Sequence, residues 1–231
     1  MAVFIIGATG LVGSHFLSQL LSGSEKVLTL TRRLPSVFQN STPSHIETII
    51  NTDTKQWDQS IIESSKDVPE GSIFFSAFGT TKANAGSMEK FKEIDYGVNY
   101  SSFKAAKECG KYDTAILISS IGANPDSIFG YLQSKGELEK DVEALGFKKT
   151  LILRPGVLLG EREKPKGWNN RLAEKVGRWV KNTPFDIVAS YPIDGEEVAK
   201  CTKVLIDNGI KDGVTIIESK EMRDIAIKGS L

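Results

Sequence analysis

Short apolar segments alternate with longer amphipathic segments along most of the chain. The apolar segments, each predicted to be a buried strand, are residues 3–6, 27–31, 46–50, 72–77, 114–119, 150–153 and 214–218. Between them, apolar positions that repeat every 3.6 residues predict helices at 11–21, 88–109 and 130–145, and a further helix starts at Asp194. Apolar strands that alternate with helices are usually covered on both faces. The pattern therefore predicts an α/β fold with a doubly wound parallel sheet.

Length and composition narrow the class of protein. A chain of 231 residues suits one domain, spanning 1–231. Its 29 Lys and Arg balance 29 Asp and Glu, a neutrality that argues against nucleic-acid binding. Cys109 and Cys201 form no CxxC pair, so an intracellular protein with reduced thiols is expected. His15 and His45 are too few for a His-rich metal site, and no metal is predicted.

A glycine-rich segment, GATGLVG from Gly7 to Gly13, joins the first predicted strand to the first predicted helix. Gly7 permits a tight turn, Gly10 lets the backbone approach a pyrophosphate, and Gly13 allows the helix to pack closely on the strand. Free N–H groups at the helix start then face the anion. The segment predicts a dinucleotide site in a Rossmann-type fold, although its spacing is GxxGxxG rather than GxGxxG. The alternative is a glycine-rich turn that binds no ligand.

The end of the second predicted strand indicates which dinucleotide is bound. NAD-binding units usually carry an acidic residue there, which binds the ribose 2′-hydroxyl. This chain has Arg32 and Arg33 instead, directly after Thr31. Since guanidinium groups pair with phosphate in a bidentate manner, the sequence favours NADP(H) over NAD(H). The alternative is a solvated basic turn.

Three residues form a candidate catalytic set. Ser120 follows the fifth predicted strand, and Tyr131 and Lys135 lie one turn apart on the next helix. The pKa of a free tyrosine, about 10, is too high for proton transfer at neutral pH, and a nearby ammonium would lower it. Tyr131 is then a proton donor to a carbonyl oxygen to which Ser120 also donates a hydrogen bond. The alternative is a helix that is merely packed in the core.

Longer motifs carry a family resemblance. They are GATGLVG from Gly7, TRR from Thr31, FGTTKANAG from Phe78, ISSIGANPDSIFGYLQSKGE from Ile118 and LILRPGVLLGER from Leu151. With these motifs the chain resembles the atypical short-chain dehydrogenase/reductases. It is similar to the HIV Tat-interacting oxidoreductase group and to its fungal relatives found in mitochondrial proteomes.

The resemblance implies roles for individual residues. Ser120, Tyr131 and Lys135 match the catalytic positions, and Lys135 would also bind the ribose hydroxyls. Asp53 would lie near the adenine. The implied NADP(H)-binding residues are Gly7, Thr9, Gly10, Leu11, Val12, Gly13, Arg32, Arg33, Asp53, Ala77, Phe78, Gly79, Thr80, Ser119, Tyr131, Lys135, Pro155, Gly156 and Val157.

Two departures from the family pattern concern the long helix and the C-terminal third. Asp95 stands where many members have an asparagine that organises a proton relay, and Asn99 follows one turn later. The usual relay is therefore in doubt, and water is an alternative carrier. The C-terminal third is short, so residues from about 155 to 231 are expected to contribute only a small substrate-side region.

Membrane contact is a separate expectation. Neither a signal-peptide pattern nor an apolar run of about 18 residues is present. The fungal likeness implies peripheral association with the mitochondrial outer membrane, or a cytoplasmic location. The basic segment 161–181 is compatible with a substrate lid, a membrane-surface patch or an ordinary solvated helix.

The leading functional hypothesis is an NADPH-dependent reductase of a small aldehyde or ketone. The main alternative is a non-catalytic NADPH-binding redox sensor that acts through a protein partner, and the retention of Tyr131 and Lys135 favours the enzyme. An epimerase or dehydratase of nucleotide sugars would need a larger C-terminal lobe. The sequence makes no prediction of oligomeric state.

Overall fold

A seven-stranded parallel sheet organises the protein. The computed structural model describes residues 1–38, 42–160 and 192–229. The strands are Ala2–Ile6 (β1), Lys26–Thr31 (β2), Ile46–Ile50 (β3), Ser72–Ser76 (β4), Tyr112–Ile118 (β5), Lys149–Arg154 (β6), Leu158–Leu159 (β7), Ile193–Asp194 (β8) and Gly213–Glu218 (β9). The sheet order is β3-β2-β1-β4-β5-β6-β9, and β7 pairs separately with β8. Each adjacent pair in the main sheet is parallel, as the apolar strands predicted.

Helices cover both faces of this sheet. They are Leu11–Leu20 (α1), Trp57–Ser64 (α2), Lys82–Ala85 (α3), Met88–Phe91 (α4), Val98–Glu108 (α5), Gly130–Ala144 (α6), Gly195–Asn208 (α7) and Ser219–Lys228 (α8). One core lies between the sheet and α1, α7 and α8, and the other lies between the sheet and α2, α5 and α6. The predicted doubly wound α/β fold is confirmed.

Strand β4 shows why the three residues between its terminal serines are apolar. Neighbouring side chains of a strand point to opposite faces, and both faces are buried here. Phe75 packs on Phe16 of α1, with ring centroids 4.4 Å apart. Phe74 faces the other core and lies 5.2 Å from the ring of Phe103 on α5.

The helix predicted at 88–109 is not regular. Between α4 and α5, residues Lys92–Gly97 form a π-helical segment, which changes the angular position of the side chains that follow. Three helices were missed: α2, the four-residue α3 and α8. In α2 only Trp57 and Ile61 are buried, which is too few positions to reveal a helical period, and α8 follows directly on β9.

The C-terminal part of the chain is largely built into the main domain. Strand β9 adds to the sheet beside β6, and α7 packs against α1. Residues 161–191, which include the predicted basic segment, lie outside the described residues. Within the described ranges, no helix is long and apolar enough to cross a membrane.

Candidate active site

The predicted site residues follow the carboxyl ends of neighbouring parallel strands. Because these ends meet at one edge of the sheet, the fold brings together segments that are distant in sequence. The glycine segment follows β1, the arginine pair follows β2, residues 77–80 follow β4, Ser119 and Ser120 follow β5, and residues 155–157 follow β6. In a doubly wound sheet this edge is the usual place for a ligand.

The glycine segment has the geometry of an anion cradle. Gly7 has a φ of 83°, and a Cβ on it would lie 2.4 Å from the Ala77 carbonyl carbon. A Cβ on Gly13 would lie 2.2 Å from the Gly7 carbonyl oxygen. Helix α1 begins with no side-chain cap and no acidic residue in its first turn, so its first N–H groups are available to an anion. This backbone therefore fits the diphosphate of a dinucleotide.

The arginine pair follows β2, the strand that pairs with β1. Both side chains are exposed, and the Thr31 hydroxyl donates a hydrogen bond of 2.8 Å to the Arg33 carbonyl oxygen. The guanidinium of Arg32 lies 5.9 Å from the centroid of the Phe78 ring, which itself packs on Trp57. The turn thus places the guanidinium of Arg32 next to Phe78.

Two of the predicted cofactor residues have partners within the protein. One carboxylate oxygen of Asp53 accepts a hydrogen bond of 3.0 Å from the Lys55 N–H and caps the turn Thr54–Gln56. The Ser119 hydroxyl donates to the carboxylate of Glu139. Both residues therefore shape the loops that carry them.

Helix α6 presents Tyr131 and Lys135 beside the loop that follows Ser120. The N–H of Asn124 in that loop donates to the Leu132 carbonyl at 3.1 Å. The approach is so close that a Cβ on Gly136 would lie 2.2 Å from the Asn124 carbonyl carbon.

The environments of Ser120 and Tyr131 differ. Ser120 is buried, and its hydroxyl makes only a long hydrogen bond of 3.3 Å to the Ile121 carbonyl. Tyr131 is half-buried, with its ring 5.4 Å from that of Phe91. A weakly held hydroxyl is well suited to turn toward an incoming oxygen atom.

Lys135 is buried against a carboxylate. Its Nζ lies 2.7 Å from Oδ2 of Asp95, and both side chains are almost inaccessible to solvent. Burial alone lowers the pKa of Lys135. The carboxylate of Asp95, with smaller contributions from Tyr131 and Glu139, outweighs that effect and holds the pKa above its usual range. The lysine therefore carries its charge at neutral pH.

Asn99 fixes the π-helical segment that carries Asp95. Its side-chain amide donates hydrogen bonds to the carbonyl oxygens of Asp95 and Phe78, and its Oδ1 accepts one from the Ser76 hydroxyl. Asn99 is thus a buried tie between this segment and the turn after β4, whereas Asp95 makes the direct contact with Lys135.

Glu139 belongs to the site's surroundings and was not predicted. It is buried, accepts hydrogen bonds from Ser119 and Arg154, and lies one turn after Lys135 on α6. The pairing with Glu139 raises the pKa of Arg154. The sequence signal that could have identified Glu139 is its spacing. It lies four residues after Lys135, just as Lys135 lies four residues after Tyr131.

The segment after β6 is held beside the Ser120 loop. The Pro155 carbonyl accepts a hydrogen bond of 2.9 Å from the Ile121 N–H. The Gly156 N–H donates to the Ser219 hydroxyl, and the Val157 carbonyl accepts from the Ile193 N–H of β8. Residues 155–157 are therefore fixed by backbone contacts at the edge where the catalytic set lies.

Comparison with known proteins finds a matching family model and relatives of similar length. Residues 3–188 match the sequence model of the NAD dependent epimerase/dehydratase family. The chain is 47% identical over 215 residues to "Protein FMP52, mitochondrial" of Debaryomyces hansenii, covering 92% of this chain and 91% of the relative. It is 38% identical over 228 residues to the protein of the same name from Saccharomyces cerevisiae, covering 96% of this chain and 95% of the relative.

Solved structures show the same fold at low identity. A UDP-glucose 4-epimerase from Bifidobacterium longum, in complex with NAD+ and UDP, matches with a TM-score of 0.71 and 15% identity, over 94% of this chain and 77% of that one. A short-chain dehydrogenase from Streptomyces avermitilis matches with a TM-score of 0.65 and 18% identity, over 99% and 90%.

Proposed function

The chain belongs to the NAD dependent epimerase/dehydratase family, and from that membership we propose that it is an NADP(H)-dependent oxidoreductase that reduces a small aldehyde or ketone. The observation that carries the proposal is the set formed by Ser120, Tyr131 and a charged, buried Lys135. This set follows β5 at the edge of the sheet where the glycine cradle follows β1.

Each member of the set has a distinct role in the proposed reaction. When bound, a reduced nicotinamide would supply the hydride that the carbonyl carbon receives. Tyr131 gives its phenolic proton to the carbonyl oxygen, and the Ser120 hydroxyl donates a hydrogen bond to the same atom. The ammonium of Lys135 favours the phenolate that remains on Tyr131 and donates to the ribose hydroxyls.

The choice of NADP(H) rests on the arginine pair. A 2′-phosphate carries up to two negative charges, and Arg32 and Arg33 stand where NAD-binding units usually have a carboxylate. Solved structures with this fold contain NAD, as in the UDP-glucose 4-epimerase complex. Because this likeness is one of fold alone, it does not indicate which dinucleotide this chain binds. The choice of NADP(H) therefore follows from the arginine pair.

An epimerase or dehydratase of nucleotide sugars is the alternative from the same family, and the test below distinguishes it from the proposed carbonyl reductase.

The test is consumption of NADPH by the purified full chain in the presence of a panel of aldehydes and ketones. We expect turnover of at least one carbonyl, with NADPH preferred over NADH. Turnover of a UDP-sugar and of no carbonyl would replace the proposal with the epimerase alternative. Tight NADPH binding without turnover would instead leave the non-catalytic redox sensor.

The proposed location is mitochondrial, because relatives at 47% and 38% identity are named mitochondrial proteins. Peripheral association with the outer membrane is the finer part of this proposal. It is tested by flotation with anionic liposomes at low salt, where binding is expected, and a protein that stays unbound there contradicts it.

A further inference from the structure

The ion pair between Asp95 and Lys135 joins two elements beneath the proposed reacting groups. Asp95 lies in the π-helical segment and Lys135 in α6, with relative exposures of 1% and 6% for their side chains. Two charges this deeply buried are tolerated because each offsets the other, and removing one leaves an uncompensated charge.

Both oxygens of the Asp95 carboxylate face groups that only donate. Oδ1 accepts a hydrogen bond of 3.0 Å from the Thr80 N–H. Oδ2 faces the Lys135 ammonium at 2.7 Å and has no aligned hydrogen-bond donor among the described residues, so its contact is one of charge. An asparagine side chain has one acceptor oxygen and one donor NH₂ group. At position 95 its NH₂ would face either the Thr80 N–H or the Lys135 ammonium, and both of these groups only donate. Position 95 is built for a carboxylate.

The other charged groups near Lys135 do not replace this contact. Tyr131 and Glu139 lie on the same helix, one turn before and one turn after it. The carboxylate of Glu139 is already paired with Arg154, whose Nη2 lies 2.5 Å from it. Asp95 is therefore the carboxylate that balances the lysine.

We propose that Asp95 is a positioning residue, which keeps Lys135 protonated and holds its ammonium one turn from Tyr131. This inference rests on the proposed function, in which that ammonium serves Tyr131 and the cofactor. An ammonium has three N–H donors, and since its contact with Asp95 is one of charge, donors remain for the phenol and the ribose hydroxyls.

Removing only the carboxylate of Asp95 should change the pH range over which Lys135 keeps its charge. Without Asp95 the burial of Lys135 disfavours its charged form, so the pKa of Lys135 falls. A neutral lysine amine can also accept a hydrogen bond from the new asparagine amide. The loss of the ammonium then begins at a lower pH than in the wild type.

The first experiment measures the Kd of NADPH from about pH 6 to about pH 10, a range below the ordinary lysine pKa of about 10.4 in which a lowered pKa of Lys135 would be detected. The proteins are the wild type, Asp95→Asn, Lys135→Met and a control, Glu137→Gln. Glu137 forms an ion pair of 2.6 Å with Lys92 and links the same two elements, but at the surface. Dividing each Kd by the wild-type value cancels the titration of the cofactor itself.

We expect the ratio for Asp95→Asn to rise with pH by at least about tenfold, which corresponds to a pKa of Lys135 lowered by one unit. At alkaline pH this ratio should approach the one for Lys135→Met. The ratio for Glu137→Gln should stay near one. The proposal is overturned by an Asp95→Asn protein that binds like the wild type at alkaline pH. A constant ratio that stays distinct from Lys135→Met also overturns it, because this is the behaviour of a purely structural defect.

A second experiment needs no cofactor. Urea unfolding of Asp95→Asn, Lys135→Met and the double variant forms a double-mutant cycle. We expect the double variant to lose less stability than the sum of the two single losses, since neither charge is left alone. Additive losses contradict the ion pair's role. If the wild type fails to bind NADPH, the proposed function is wrong, yet this cycle still tests the pair.

Discussion

At the scale of the residue, Lys135 occupies a position that its helix otherwise gives to core side chains. Leu138 and Val142 on the same helix are fully buried, and Lys135 is nearly so. The fold accepts the charge because Asp95 lies 2.7 Å away. The spacing YxxxK predicted the lysine's place beside Tyr131. It did not predict the partner, because Asp95 comes from a segment forty residues earlier in the chain.

Cofactor choice is also decided by single residues. Replacing Arg32 and Arg33 together by glutamine should weaken NADPH binding about ten- to a hundredfold and leave NADH binding nearly unchanged. The reason is that a hydrogen bond to a charged group contributes about 1.5–3 kcal/mol. The measurement is the Kd of each dinucleotide by fluorescence titration.

The matched control for the arginine pair is Lys26→Gln. Lys26 lies on the same strand, β2, but at its opposite end, where it makes only a loose ion pair of 3.9 Å with Glu47. Equal losses in NADPH and NADH binding for the arginine variant would contradict the assignment of the 2′-phosphate to this turn.

At the scale of the element, glycines set how closely helices approach the site loops. Helix α6 reaches the loop at Asn124 because Gly136 has no side chain, whereas Gly97 has nothing nearer to its missing Cβ than the Lys92 carbonyl oxygen at 3.8 Å. Both glycines have helical surroundings. Replacing each glycine by alanine therefore separates the effect of close packing from that of helix propensity.

Gly136→Ala should destabilise the protein by about 1–3 kcal/mol, because the clash with the backbone of the loop outweighs the gain in helix propensity. Gly97→Ala should instead be neutral or stabilising by up to about 1 kcal/mol. Urea unfolding of both variants measures the difference. A Gly136→Ala protein as stable as Gly97→Ala would mean that α6 is not held against this loop.

The sequence allowed the elements to be predicted where burial leaves a long pattern. The three central residues of strand β4 are apolar because both of its faces are buried. The glycines after β1 indicate the turn there. The π-helical segment was not predicted, because the positions of Phe91, Ile94 and Val98 suit a continuous helix equally well. Asn99 ties this segment to the turn after β4, through hydrogen bonds to the carbonyl oxygens of Asp95 and Phe78.

At the scale of the whole molecule, several buried groups make stability depend on alkaline pH. Burial raises the pKa of Cys201 to about 12 and raises that of Tyr112 above its usual range. Asp95 raises the pKa of Lys135. A group whose pKa is higher in the folded state stabilises the protein fully below its unfolded pKa, and that stability is lost as pH rises through the folded value.

The free energy of unfolding should therefore begin to fall at about pH 8.5, where an unfolded cysteine ionises, and fall more steeply near pH 10, where unfolded tyrosine and lysine titrate. Urea unfolding at a series of pH values measures this. In Cys201→Ala the first part of the fall should become smaller, and the remainder is due to Cys109, whose pKa burial also raises. A wild-type stability that stays constant up to pH 10 would contradict these burial effects.

The central claim is that the molecule reduces a carbonyl with Tyr131 as the proton donor. The most direct measurement is kcat/KM of Tyr131→Phe for the best carbonyl substrate, beside Tyr100→Phe, a change of the same atom on the half-buried Tyr100 of α5. Removal of a general acid should lower kcat/KM by about 10²–10⁴-fold in Tyr131→Phe, and Tyr100→Phe should keep the wild-type value. Turnover in Tyr131→Phe within twofold of the wild type would contradict the account.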